Sequence, residues 1–169
     1  MSNFKEIKPE ELQSNPFEII GKEWMLVTAQ SGDKINTMTA SWGGVGVMWG
    51  KNVVFVVIRP QRFTKEIVDS AETLSLSFFG NAYREKLNYL GTVSGRDENK
   101  IKNSDLTVAT MDSTPYFEEA HTVIIGKKLF AQQYDSQAFL DKSLEKQWYP
   151  DNDYHIMYIC EIEKLLVTA

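Results

Sequence analysis

The run Val53-Val54-Phe55-Val56-Val57-Ile58 is β-branched at every position but one and stops at Arg59-Pro60. Side chains branched at Cβ are stiff against a preceding helical turn and pack well on a pleated surface, so the run predicts a strand. Nothing in it alternates with polar residues, so the strand is expected to be buried on both faces. Pro60 has no N–H for a ladder, which places Arg59 at a strand end and Arg62 at the entrance of a helix. Burying such a strand requires a sizeable core around it. A chain of 169 residues, 43% of them apolar, has the material for one domain of that kind.

The rest of the chain reads mainly as further strands. Lys8 to Ser14 is polar and opened by a proline, which suggests a short surface turn of helix. Glu23 to Gln30 reads as a strand, Ser31-Gly32-Asp33-Lys34 as a turn, and Ile35 to Trp42 as a second strand, together a hairpin by pattern. In the second strand Asn36, Met38, Ala40 and Trp42 share one face, and Ile35, Thr37, Thr39 and Ser41 the other. A hydroxyl-bearing face fits either an exposed threonine ladder or a ledge with room for a ligand. Gly43-Gly44-Val45-Gly46 is not a dinucleotide fingerprint, because it leads through Met48-Trp49-Gly50 into a strand rather than a helix. A bend with close backbone approach is the expectation there.

Phe63, Ile67 and Ala71, with Val68 beside them, are spaced for one helical face, and Thr73 to Phe79 follows as a strand. Asn81 is a candidate cap for a helix with Tyr83, Leu87 and Leu90 on one side, closed by Gly91. Leu106 to Met111 reads as a short strand broken by Ser113-Thr114-Pro115. His121 to Tyr134 is a long strand, with Gly126 at a bulge or bend. Ser136 is a candidate cap for a helix through Phe139, Leu140 and Leu144; Trp148 to Asp153 is an irregular loop, and Tyr154 to Val167 a final strand. The fold class is therefore mainly β, an antiparallel barrel with peripheral helices in a single domain spanning residues 1–169.

Much chemistry is missing. A net charge of −5 disfavours general nucleic-acid binding. A single cysteine, Cys160, fits a reducing compartment, and the N-terminus lacks the apolar stretch of a secretory signal. No apolar run is long enough to cross a bilayer as a helix, so a cytoplasmic protein is expected. His155 and Cys160 fall on opposite faces of one strand, no metal-ligand spacing occurs, and Ser41 and Ser94 lack a nucleophile-elbow pattern. What the chain does offer is a small-residue ledge from Ile35 to Trp49 and a cationic segment, Arg59 to Glu66. Thr64, Lys65 and the free N–H groups of the following helix would suit a phosphate, or else form a solvated helix start. Ser94-Gly95-Arg96 is a modest anion signal or a surface loop. A flat apolar ligand with an anionic tail fits this combination, with any reaction performed by a cofactor.

Taken in order, NTMTASWGGVG, IRPQRFTKE, SFF with YREKLNYLGTVSGRD, and WYPDNDYHIMYICEI resemble the flavin reductase-like family, its flavoredoxin-type group in particular. The resemblance spans about Gly21 to Leu166. It implies a six-stranded antiparallel split β-barrel, the FMN-binding split barrel, forming a homodimer with FMN near the subunit interface and NADH or NADPH as electron donor. It also implies that Asn36 and the segment Met38-Thr39-Ala40-Ser41-Trp42 lie along the flavin ring. Arg59, Arg62, Phe63, Thr64 and Lys65 match the segment around the phosphate; Ser94-Gly95-Arg96 matches a loop closing over the flavin, with Lys100 assisting. His155 matches a histidine facing the site, a proton donor or nicotinamide contact, or else a structural residue. The implied activity is an NAD(P)H-dependent flavin reductase passing hydride to FMN N5. The alternative is an FMN-containing electron carrier reduced by a redox protein partner.

Overall fold

In the computed structural model, which describes residues 4–169, the chain begins with strands Phe4–Ile7 (β1), Met25–Ser31 (β2), Lys34–Ala40 (β3), Gly43–Met48 (β4) and Lys51–Ile58 (β5). Thr73–Phe78 (β6), Val108–Met111 (β7), Thr114–Phe117 (β8), Thr122–Gln133 (β9) and Ile156–Thr168 (β10) complete them. The large sheet runs β3-β2-β6-β9-β10-β5-β4, antiparallel throughout. β1 joins β10 beyond the point where β5 leaves it, which makes eight strands, two more than the six expected. The additional pairing comes from the N-terminal segment and from the glycine stretch.

Residues from every part of this sheet meet in one core. Met25 and Val27 of β2, Met38 of β3, Val54, Val56 and Ile58 of β5, Leu74, Leu76 and Phe78 of β6, Ile124 of β9, and Tyr158 and Cys160 of β10 belong to a single buried cluster. Only a sheet rolled on itself brings end strand β3 and strand β5 to a common interior, so this is a barrel left open between them. The helix Phe63–Ser70, which follows Pro16–Glu18 (α1) as α2, closes the interior with Ile67 and Val68. A second cluster lies outside the barrel, where Leu87 and Leu90 of helix Arg84–Thr92 (α3) and Phe117 of β8 cover Leu26, Val123, Ile125 and Leu166. Two short helices, Lys100–Asn103 (α4) and Lys142–Trp148 (α5), complete the set.

Several local expectations need correction. Gly43–Met48 is a strand paired with β5, not a bend. Its glycines do serve close approach: a Cβ on Gly44 would stand 2.6 Å from the Phe55 ring, which lies across it. Ser113-Thr114-Pro115 does not end pairing. Asp112 and Ser113 take positive φ (48° and 66°), the requirement of a tight hairpin, and Pro115 is tolerated in a two-stranded ribbon. Asn81 sits inside a 3-10 turn and makes no cap bond to α3. Ser136 opens only a 3-10 turn; α5 starts later, where the Asp141 carboxylate accepts from the Ser143 N–H. Beside Gly126 the extra, unpaired residues are Leu129 and Glu163.

Candidate functional site

The opening in the barrel forms a cavity of about 520 Å³ between the C-terminal ends of β3 and β5 and the start of β10. Met38, Thr39, Ala40, Ser41 and Trp42 form one wall; Val57, Arg59, Gln61 and Arg62 form another; Trp148 and His155 close the third side. Trp42 stands edge-on to Trp148 at 4.9 Å and lies 5.1 Å from the His155 ring, so one end of the cavity is aromatic. The volume falls within the range of small-molecule sites, roughly 300–1,000 Å³.

The opposite end is cationic. Arg62 Nη1 donates to the Gly91 carbonyl at 2.8 Å, and no carboxylate pairs with this guanidinium among the described residues. Burial and the neighbouring Arg59 lower its pKa. Behind it Lys100 is buried, donating to the Leu90 carbonyl at 2.8 Å and the Val93 carbonyl at 2.9 Å. Burial and then the proximity of Arg62 push Lys100 down to about 8. The carbonyls at the C-terminal end of α3 thus hold two cations, as the helix dipole favours. That supplies partial charge only, and the pair keeps an excess of positive charge.

Arg59 has a different task. Its Nη1 donates to Asp153 Oδ2 at 2.6 Å, its Nη2 to the Trp148 carbonyl at 2.9 Å, and its guanidinium lies 5.2 Å from the Tyr149 ring centre. Gln61 donates to the same Asp153 oxygen at 2.7 Å. Those hydrogen bonds, Gln61's foremost and then Arg59's, hold the Asp153 carboxyl below the usual carboxylate range. Arg59 therefore ties the 148–153 loop to the end of β5 and fixes Trp148 as a cavity wall. His155 is 8% exposed, and its Nδ1 is 2.7 Å from the Tyr149 hydroxyl. Burial above all, with the charge of Arg59, pushes His155 down to about 4, so at neutral pH the ring is uncharged.

The other residues singled out in the sequence lie elsewhere. Asn36, Phe63, Gly95, Arg96 and Lys100 line a separate cavity of about 570 Å³ beside α2. Asn36 donates to Thr64 at 2.9 Å, and both are buried. Lys65 turns to Asp69 at 2.7 Å, one turn along its own helix. Arg96 pairs with Glu66, donates to the Gln61 carbonyl and sits over the Phe63 ring. The Ser94 hydroxyl accepts from the Arg96 N–H within its own turn. Thr64, Lys65, Ser94 and Arg96 therefore do not converge with Arg59 and Arg62 on one cavity. The hydroxyl face of β3 is neither an exposed ladder nor wholly a ledge. Thr37 is buried against Thr28 at 2.9 Å, and Thr39 donates to the Leu87 carbonyl, fixing α3, while Thr39 and Ser41 still reach the cavity.

Val57, Gln61 and Trp148 were not among the residues the sequence singled out. The aromatic pair Trp148-Tyr149 in a turn-rich stretch was the available signal, but the ion pair that draws it to β5 spans 94 positions of sequence.

A split β-barrel with an aromatic and cationic cavity at its opening is the class these features define. Residues 18–168 match the flavin reductase like domain, and the chain belongs to that family. No curated protein matches the sequence. Among solved structures, the FMN-binding domain of a flavin reductases-like enzyme from Shewanella baltica OS155 superposes with a TM-score of 0.72 at 16% identity, covering 99% of this chain and 78% of that one. Flavoredoxin of Desulfovibrio vulgaris (Miyazaki F) gives 0.67 at 20% identity, with 95% and 76% covered. The styrene monooxygenase flavin reductase from Pseudomonas putida S12 gives 0.62 at 11%, with 85% and 77% covered. At these identities the likeness is one of fold. Among the described residues no helix is long and apolar enough to cross a membrane.

Proposed function

We propose that this chain binds FMN in the cavity at the barrel opening and works as an NAD(P)H-dependent flavin reductase. The observation that carries the reading is Arg62: a half-buried guanidinium on the cavity wall, backed by Lys100, with no carboxylate among the described residues to neutralise either. Such an arrangement costs stability unless an anion sits against it, and a phosphate monoester accepts from a guanidinium in the required geometry. Trp42, Trp148 and the uncharged His155 give a flat apolar body a place at the other end. Membership of the flavin reductase like domain family points the same way.

When bound, FMN would supply the redox chemistry, that of a hydride acceptor toward a reduced nicotinamide. The residues position and shield. Arg62 holds the anionic end, Arg59 keeps Trp148 in place over the aromatic end, and the backbone of Met38 to Trp42 offers polar groups beside small side chains. No side chain need move a proton in that step, which agrees with a cavity whose only histidine is pushed down to about 4.

The same reading includes a homodimer. Phe55, Ile159 and Phe130 stand in register across three strands on the outer side of the barrel. Trp49 is 57% exposed and Phe130 40% exposed, with rings 6.1 Å apart. An apolar row of this kind suits a second copy of the chain. Anaerobic mixing of FMN-loaded protein with NADH and with NADPH tests the activity: rapid loss of the oxidised flavin absorbance is expected. Stable absorbance with both nucleotides would leave an electron carrier reduced by a protein partner.

A further inference from the structure

Tyr149 lies behind the cavity wall and touches its only histidine. Its ring is 4% exposed and packs among Tyr134, Phe139, Tyr154 and His155, with centroids 5.2–6.3 Å away. Among the described residues its hydroxyl has one hydrogen-bond partner, His155 Nδ1, at 2.7 Å. We infer that Tyr149 donates this hydrogen bond and so locks His155 in the tautomer with its proton on Nε2, making the ring a fixed neutral donor toward whatever fills the cavity.

The direction of the bond follows from counting donors. If Nδ1–H donated to the tyrosine oxygen, the buried phenolic proton would have no acceptor among the described residues. With Tyr149 as donor, only an oxygen lone pair goes unused, the cheaper omission for a buried group. The proton of His155 is then on Nε2, which has no partner among the described residues, and the ring belongs to the cavity wall. Burial is the first cause that keeps the ring neutral, and the charged groups around it add to that on balance. Arg59 and Arg62 from the end of β5 and the approach to α2 oppose a second proton, and Asp153 in the loop, spent on Arg59 and Gln61, favours one less than they oppose it. Tyr134, just past the end of β9, stays protonated because burial raises its pKa. Tyr149 is thus a positioning residue, acting through His155.

The tautomer stands on this geometry alone; its use as a donor to flavin or nicotinamide rests on the function proposed above. Long-range proton–nitrogen NMR of the full chain at pH 7 should show His155 with a bare Nδ1 and a protonated Nε2. Tyr149→Phe keeps the ring and removes the hydroxyl; it should give a tautomer mixture, and the His155 titration should move up. A protonated Nδ1 in the wild type overturns the assignment, whether or not the variant folds, and so does an unchanged tautomer in a folded Tyr149→Phe. Added FMN is then followed on the Nε2 resonance and by absorbance. A shifted resonance supports the donor role, and bound FMN with an unmoved resonance overturns it. Absence of FMN binding overturns the flavin reading instead, leaving the tautomer assignment to the first measurement.

Discussion

Arg62 and Lys100 share one helix end without a counter-ion among the described residues, and two predictions follow from that at the scale of single residues. Replacing Arg62 by Ala removes a charge-assisted contact worth roughly 1.5–3 kcal/mol, so FMN affinity should fall roughly 10- to 100-fold in an equilibrium titration. Arg62→Lys keeps the charge and should recover part of it. Lys100 gives a pH signature. With its pKa near 8 in the folded chain, an anion at Arg62 favours its protonated form, so binding takes up a proton above that pH. FMN affinity should therefore decline as pH rises from 8 to 10, and a flat profile would separate Lys100 from the anion site. His155 acts on stability in the acid range. Between its ordinary value of 6.5 and its folded value of about 4, the unfolded chain binds a proton that the folded ring refuses. Stability is lost as pH falls through that window, and His155→Gln should flatten the slope in thermal melts.

Among the elements, the segment from α5 to the start of β10 is where sequence reasoning went least far. The barrel strands were legible because β-branched runs and period-two patterns report burial locally, and β2, β3, β5, β6, β9 and β10 all fall where those patterns put them. The glycine strand β4 was not, because it fits its neighbour through the Phe55 ring rather than through its own side chains. Part of the candidate site was legible from residue types, with His155 placed there by the family resemblance alone. The ledge Met38 to Trp42 with Arg59, Arg62 and His155 does line one cavity, whereas Lys65 and Arg96 are taken by Asp69 and Glu66, carboxylates that residue type alone does not connect to them. Arg59 looked like an anion ligand and is a clamp. Arg59→Ala should free the 148–153 loop, and the loss of its charge-assisted bonds should cost about 2 kcal/mol. Hydrogen exchange should rise in α5 and the loop while β2 and β6 stay protected; uniform protection would show that the clamp is not needed.

For the whole molecule, a sheet of eight strands rolled around one core leaves an opening where β3 and β5 part, and that opening places the cavity. The outer apolar row, proposed above as a homodimer interface, has its own test. Phe130→Lys should shift sedimentation from dimer to monomer, and a wild type already monomeric would remove the proposed interface. The central claim concerns the ligand: a flavin held largely through its phosphate. Comparing the affinities of FMN and riboflavin for the wild-type chain isolates that phosphate, since the two share the ring and the ribityl chain. FMN should bind at least tenfold more tightly, a difference of about 1.4 kcal/mol or more, and Arg62→Ala should shrink the gap. Equal affinities for the two, or no binding of either, would contradict the account.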